Sequence, residues 1–163
     1  MKPAAAGIPG IGDPAPEFQL PNQYGETVTL RDLAGAPAVL VFYPFAFSRV
    51  CSGELDELAG LRPAFESAGA RLLAVSCDAK YSLRAWAAEK GWQFDLLSDF
   101  WPHGAAARSY GIFNESRGMA ARASFVLGAD GTVRDVLRSD LDAPRKAGDY
   151  LRALESLSAG ERN

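Results

Sequence analysis

The stretch APAVLVFYPFAFSRVCSGELDEL, residues 36–58, runs from an apolar segment through a short loop to an acidic segment that begins with a cysteine. Its apolar half, which contains Val39, Val41 and Phe42, is typical of a strand buried on both faces. Pro44 cannot donate a backbone hydrogen bond to a sheet, so we expect the strand to end just before it. The loop then delivers Cys51 to the start of a helix.

Apolar residues at helical spacing continue from that cysteine. Cys51, Leu55, Leu58, Leu61 and Phe65 recur at intervals of four and three, which predicts one face of a helix over 51–66. Strands and helices alternate along the rest of the chain. We predict an N-terminal β-hairpin in 18–30, strands in 70–78 and 94–99, helices in 81–91 and 103–111, a second hairpin in 122–137 and a closing helix in 147–158. This order favours an α/β fold with a central mixed β-sheet and helices on both faces.

The composition fits one compact domain. The chain has 163 residues, of which 48% are hydrophobic, and its net charge of −3 comes without a lysine or arginine cluster. Neither nucleic acid nor a membrane is therefore predicted as a partner. Proline and glycine interrupt the N-terminal residues, unlike in a signal peptide, and the two cysteines suit a reducing compartment. We expect a flexible arm at 1–12, a single domain at 13–163 and a cytoplasmic location.

A helix start is a place where a thiolate is stabilised. Unpaired backbone N–H groups and the helix dipole favour negative charge there by roughly 0.3–1 kcal/mol. Glu54 lies one turn after Cys51 and opposes this, because its carboxylate disfavours a thiolate unless a cation lies between the two groups. Arg49 is near in sequence but lies on a loop. Arg122, at the start of a predicted strand, is held better, and its guanidinium is always charged and carries five donors.

Pro44, Ser48 and Cys51 in PFAFSRVC resemble the signature of the peroxiredoxins, in which a proline, a threonine or serine and the peroxidatic cysteine form the site. Arg122, ahead of an apolar strand, is similar to that family's fourth catalytic residue. The segment LLSDFWPHGAAARSYGIFNE resembles the one-cysteine alkyl hydroperoxide reductase E branch of the AhpC/TSA family. The resemblance covers nearly all of the predicted domain and implies a thioredoxin-like fold. Serine stands at 48, where threonine is commoner in the family.

The resemblance implies a thiol-dependent peroxidase with no metal or other cofactor. Cys51 would attack hydrogen peroxide, an organic hydroperoxide or peroxynitrite and become a sulfenic acid. Arg122, Ser48 and the Cys51 N–H would stabilise the developing charge, and Pro44 would exclude water. Glu54 is expected to lie next to the arginine, without direct contact with the peroxide. The implied reductant is external: mycothiol with a mycoredoxin, thioredoxin or glutaredoxin. A homodimer is also implied.

Other interpretations of the function and of the site residues remain open from the sequence. Cys77 is the one other cysteine, and it could resolve the sulfenic acid in a two-cysteine cycle, although a small buried hydrophobe is the favoured interpretation. The chain could also be a thioredoxin-fold thiol transferase without peroxidase activity, or an inactive binding or chaperone domain. His103, the only histidine, could pair with a cysteine in a protease, but its place at a predicted helix start favours a structural role.

Overall fold

Strands occupy the centre of the molecule in this computed structural model, which describes residues 7–161, with side chains as far as residue 157. The strand bounds are Gln19–Pro21 (β1), Thr27–Thr29 (β2), Ala38–Phe42 (β3), Arg71–Ser76 (β4), Asp95–Ser98 (β5), Phe113–Asn114 (β6), Met119–Ala120 (β7), Ala123–Leu127 (β8) and Val133–Arg138 (β9). Strands β5, β4, β3, β8 and β9 form the central sheet in that order. The β3–β4 and β4–β5 pairs are parallel, whereas β3–β8 and β8–β9 are antiparallel, so the sheet is mixed, as predicted.

Helices cover both faces of this sheet. Their bounds are Arg31–Leu33 (a 3-10 helix), Arg49–Gly60 (α1), Arg62–Ala68 (α2), Lys80–Lys90 (α3), Ala105–Ser109 (α4) and Ala147–Glu161 (α5). Apolar residues of α1, α2, α3 and α5 pack with Val39 and Val41 of β3 on one side, which we call the cysteine face because it contains Cys51. The 3-10 helix, α4 and the β1–β2 pair pack with Leu40 and Phe42 on the opposite side, which we call the hairpin face.

The central strand β3 contributes apolar side chains to both faces of the sheet. All five of its residues are buried, and successive side chains of a strand point to opposite faces. The unbroken apolar run in the sequence therefore serves two hydrophobic clusters at once. This confirms the expected α/β arrangement with helices on both sides of a mixed sheet.

The N-terminal β-hairpin is also present. Leu20 of β1 pairs with Val28 of β2 in an antiparallel ladder. Within the predicted arm, residues 1–6 lie outside the described residues, whereas the Gly12 N–H donates to the Val133 carbonyl at 2.8 Å. The last residue of the predicted arm is thus hydrogen-bonded to the central sheet.

One local prediction was wrong, and one small element was not predicted. The helix expected over 51–66 is divided into α1 and α2 at Leu61. Pro63 explains the break, because it has no N–H for the carbonyl of Ala59 and its ring would clash with that carbonyl in a continuous helix. In addition, β6 and β7 form a small antiparallel pair that the sequence analysis did not predict.

None of the helices within residues 7–161 combines the length and apolar character that crossing a bilayer requires.

Candidate active site

Cys51 lies in the first turn of α1, directly after the loop that leaves β3. Ser48 is the N-cap of this helix, and its Oγ accepts a hydrogen bond from the Cys51 N–H at 3.2 Å. The loop is fixed from the other side by the Ala46 N–H, which donates to Asp78 Oδ2 at 2.8 Å. Pro44 is buried between the strand and this loop, and Cys51 itself is 0% exposed. The cysteine thus lies at a helix N-terminus within a packed, water-poor environment.

Ser48 therefore caps the helix. The Ser48 hydroxyl oxygen accepts a hydrogen bond from the Cys51 N–H, which was expected to stabilise negative charge on the peroxide. Because a hydroxyl that accepts this bond keeps its own proton, Ser48 can still donate to a further group.

The guanidinium of Arg122 lies beside the sulfur of Cys51. Arg122 Nη2 lies 3.2 Å from Cys51 Sγ, and its Nη1 lies 3.4 Å from Glu54 Oε1. Its third nitrogen, Nε, donates to the Leu141 carbonyl at 2.9 Å. Arg122 is 2% exposed, so the side chain is held on three sides. It lies between the thiol and the carboxylate, in the position that the sequence analysis required of a cation.

The sheet register explains how a residue so distant in sequence reaches the cysteine. Phe42, the last residue of β3, pairs with Ala123, the first residue of β8. Arg122 therefore precedes β8 at the same end of the sheet at which β3 continues toward Cys51. Antiparallel neighbours place the end of one strand beside the beginning of the next.

A second buried arginine completes the site, and the sequence analysis missed it. Arg145 Nε donates to Glu54 Oε2 at 3.0 Å, while its Nη2 and its backbone N–H also bond the Glu54 carboxylate. Arg145 Nη1 donates to the Phe42 carbonyl at 2.7 Å and to Ser124 Oγ at 2.8 Å. The signal that could have revealed it is Glu54, because a carboxylate buried on a helix face calls for more than one cationic partner.

The charges of these groups explain how a carboxylate can lie so close to the cysteine. Glu54 receives four hydrogen bonds, three from Arg145 and one from Arg122, which occupy its acceptor sites. The guanidinium charges of Arg122 and Arg145 and the carboxylate of Glu54 give these three side chains a net charge of +1. A thiolate at Cys51 brings the sum of the four groups to zero. The arrangement is therefore suited to an anionic sulfur.

Cys77 lies next to a residue of the hairpin-face cluster. It follows β4 two residues after Val75, which packs on the hairpin face, and it faces Ala120 and Asp99. Burial, followed by the negative charges of Asp99 and Asp78, raises the pKa of the Cys77 thiol to about 12. Cys77 is therefore a neutral thiol.

Two other candidates lie outside the group around Cys51. His103 Nε2 lies 2.7 Å from the Gly118 carbonyl, and its ring makes edge contacts with Phe100 and Phe113, which is a structural role. Arg49 is exposed at the first position of α1. Within the described part of the chain, no group of three or more histidine, cysteine or acidic residues is arranged to hold a metal ion.

The cap formed by Ser48 gives a prediction about stability. Replacing Ser48 with alanine leaves the Cys51 N–H without its acceptor and is expected to lower the free energy of unfolding by about 0.5–2 kcal/mol. Ser48→Thr keeps the hydroxyl and is expected to retain most of that stability. Urea denaturation of both variants is the measurement, and an alanine variant as stable as the threonine variant would contradict the capping role.

Comparisons with known proteins identify the family of this chain. Residues 11–136 match the AhpC/TSA family. The chain is 46% identical over 125 residues to alkyl hydroperoxide reductase E of Mycobacterium tuberculosis, which covers 76% of this chain and 82% of that protein. It is 32% identical over 162 residues to a putative peroxiredoxin in the rubredoxin operon of Clostridium pasteurianum, covering 92% of this chain and 90% of that protein.

Solved structures show the same similarity. The crystal structure of Enterococcus faecalis AhpC superposes with a TM-score of 0.87 and 27% identity, over 96% of each chain. Peroxidoxin BcpB from Mycobacterium tuberculosis superposes with a TM-score of 0.81 and 28% identity, over 93% of this chain and 97% of that one.

Proposed function

The chain belongs to the AhpC/TSA family and is a thiol-dependent peroxidase of the peroxiredoxin type, and from this premise we propose that Cys51 is the thiol that peroxide oxidises. One observation carries the proposal: Arg122 Nη2 lies 3.2 Å from Sγ of Cys51, a buried cysteine at a helix N-terminus. Burial raises the pKa of the Cys77 thiol to about 12, which keeps it protonated.

In the proposed reaction, the Cys51 thiolate attacks the terminal oxygen of the peroxide. A sulfur–oxygen bond forms and the oxygen–oxygen bond breaks, so the sulfur is oxidised by two electrons to a sulfenic acid while the peroxide is reduced. The leaving oxygen departs as an alkoxide or hydroxide and takes up a proton to become an alcohol or water. The chemistry needs positioning and charge stabilisation, and the side chains around Cys51 can provide both.

Each of the other site residues receives a role in this reaction. Arg122 holds the thiolate and stabilises the negative charge that develops on the leaving oxygen. Ser48 fixes the first turn of α1 and offers its hydroxyl proton to the peroxide. Pro44, which is buried at the start of the loop, closes the pocket against water. Glu54 keeps Arg122 in place through the contact at 3.4 Å.

We favour a one-cysteine cycle, in which an external thiol reduces the sulfenic acid. Cys77 lies next to Ala120, a residue of the hairpin-face cluster, whereas Cys51 belongs to the hydrophobic cluster on the cysteine face. The sulfur that attacks a sulfenic acid has to be a thiolate, and the Cys77 thiol stays protonated, so it is a poor partner for Cys51. The proposed reductants are mycothiol with a mycoredoxin, thioredoxin or glutaredoxin. A homodimer in the cytoplasm is part of the same proposal.

Tryptophan fluorescence provides the test. Trp86 is 0% exposed, belongs to the hydrophobic cluster of Cys51 and has its ring 5.6 Å from that of Tyr43, so oxidation of Cys51 is expected to change its emission. Stopped-flow mixing with stoichiometric hydrogen peroxide is expected to give a fast signal. Cys51→Ser should abolish the signal and Cys77→Ser should preserve it.

The same variants separate the remaining alternatives. Turnover with an external thiol is expected to survive Cys77→Ser, and loss of turnover without loss of the first oxidation would establish a two-cysteine cycle instead. A thiol transferase would exchange with mixed disulfides but react slowly with peroxide. A slow reaction of both wild type and Cys77→Ser with peroxide would therefore overturn the assignment of Cys51.

A further inference from the structure

We propose that Tyr150 and Ser124 are positioning residues for the peroxidase site and act on it through Arg145, an inference that rests on the proposed role of Cys51. The Tyr150 hydroxyl lies 2.7 Å from Ser124 Oγ, and Ser124 Oγ accepts a hydrogen bond from Arg145 Nη1 at 2.8 Å. A tyrosine of the closing helix α5 is thus joined by hydrogen bonds to the group that holds Glu54.

The position of Ser124 in β8 explains why it takes part. It is the second residue of that strand and pairs with Val41 of β3, so it lies two residues beyond Arg122 in the centre of the sheet. Ser124 is 0% exposed. A hydroxyl at such a central position is costly unless it is hydrogen-bonded, and its bonds to Arg145 and Tyr150 meet that requirement.

Tyr150 brings the second hydroxyl from a different element. It lies in the first turns of α5, is 1% exposed and belongs to the hydrophobic cluster on the cysteine face. Whichever of the two hydroxyls donates, an oxygen lone pair of Ser124 remains directed at the Arg145 guanidinium. Tyr150 therefore gives Ser124 Oγ a second hydrogen-bond partner, which helps to hold this oxygen in place against Arg145 Nη1.

Arg145 transmits this constraint to the cysteine. Its planar guanidinium bonds Glu54 with two nitrogens while Nη1 bonds the Phe42 carbonyl and Ser124, so a tilt at Nη1 moves the edge that holds the carboxylate. Glu54 in turn contacts Arg122, which contacts the sulfur. Small displacements of a group that stabilises developing charge lower the reaction rate.

Tyr150→Phe tests the proposal, with Tyr110→Phe as its matched control. Tyr110 is also 0% exposed, but it packs on the hairpin face and its hydroxyl donates to the Pro16 carbonyl at 2.8 Å. Each substitution removes one buried hydroxyl that takes part in a hydrogen bond, so a comparable loss of stability is expected. The rate constant for Cys51 oxidation by hydrogen peroxide should fall about 2–10-fold in Tyr150→Phe, which is the equivalent of one hydrogen bond, and should not change in Tyr110→Phe.

Ser124→Ala and the double variant Ser124→Ala/Tyr150→Phe determine whether Tyr150 acts through Ser124. We expect Ser124→Ala to slow the oxidation at least as much as Tyr150→Phe, and we expect the double variant to be no slower than Ser124→Ala alone. The pH profile of the oxidation rate should also move to higher pH in Tyr150→Phe, because a displaced Arg122 stabilises the thiolate less. A variant that had lost only stability would keep the wild-type profile.

Two results would overturn this inference: equal oxidation rates in Tyr150→Phe and Tyr110→Phe, or additive losses in the double variant. These results are distinct from a failure of the proposed function, which would appear as a slow reaction of the wild-type protein itself or a fast one of Cys51→Ser.

Discussion

Replacing Arg122 with methionine is expected to slow the oxidation of Cys51 by hydrogen peroxide about 10²–10³-fold, the usual loss when one preorganised donor to a transition state is removed. The guanidinium is the cation at 3.2 Å from the sulfur, and it lies in an environment where charge interactions are strong because water is excluded. Methionine fills a similar volume without charge. Stopped-flow tryptophan fluorescence with stoichiometric peroxide is the measurement.

Arg138→Met is the matched control for this prediction. Arg138 lies in β9 opposite Ala123, the neighbour of Arg122, but its side chain is exposed. The fold is expected to survive Arg122→Met, since Glu54 keeps its hydrogen bonds to Arg145. If Arg122→Met and Arg138→Met reacted with peroxide at the same rate, Arg122 would have no part in the reaction.

Replacing Glu54 with glutamine is expected to lower the free energy of unfolding by about 3–5 kcal/mol, the range observed when one partner of a buried ion pair is removed. The variant would leave two guanidinium groups buried without their anion. The amide of glutamine would also turn N–H donors toward the N–H groups of Arg145. Since a domain of this size is stable by only about 5–15 kcal/mol, the loss should be plain in a urea titration.

Glu57→Gln provides the comparison for this second prediction, because Glu57 lies on the same helix α1 with its side chain exposed. It should unfold close to the wild-type urea midpoint. Equal midpoints for Glu54→Gln and Glu57→Gln would show that the two arginines do not depend on the carboxylate, and the charge balance inferred for the site would then be wrong.

The elements that could be predicted were those with a strong local signal. The apolar run of β3, the proline after it and the α3 helix that ends at Gly91 all appear where the sequence indicates them. The division between α1 and α2 was missed because the apolar spacing continues across it, and only Pro63 marks the break. The β6–β7 pair has two residues in each strand, too few for an alternating pattern to be recognised.

The residues of the candidate site also fall into those that the sequence indicated and one that it did not. Pro44, Ser48 and Cys51 were proposed together because they resemble the peroxiredoxin signature, and the need for a cation between Glu54 and Cys51 led to Arg122. Arg145 was missed because it lies between β9 and α5, in a segment without periodicity. Its importance comes from tertiary packing, which brings its guanidinium to a carboxylate 91 residues away.

The antiparallel pairing of β3 with β8 also has a consequence for how the protein folds. The contact between Arg122 and Cys51 spans 71 residues of chain, so it cannot form until a long loop has closed and the two central strands have met. Such non-local pairings are late and slow steps compared with the formation of a helix. During refolding, a fast reaction with peroxide should therefore appear only when the central sheet is complete. A nascent chain that ends before β8 would contain Cys51 but not Arg122.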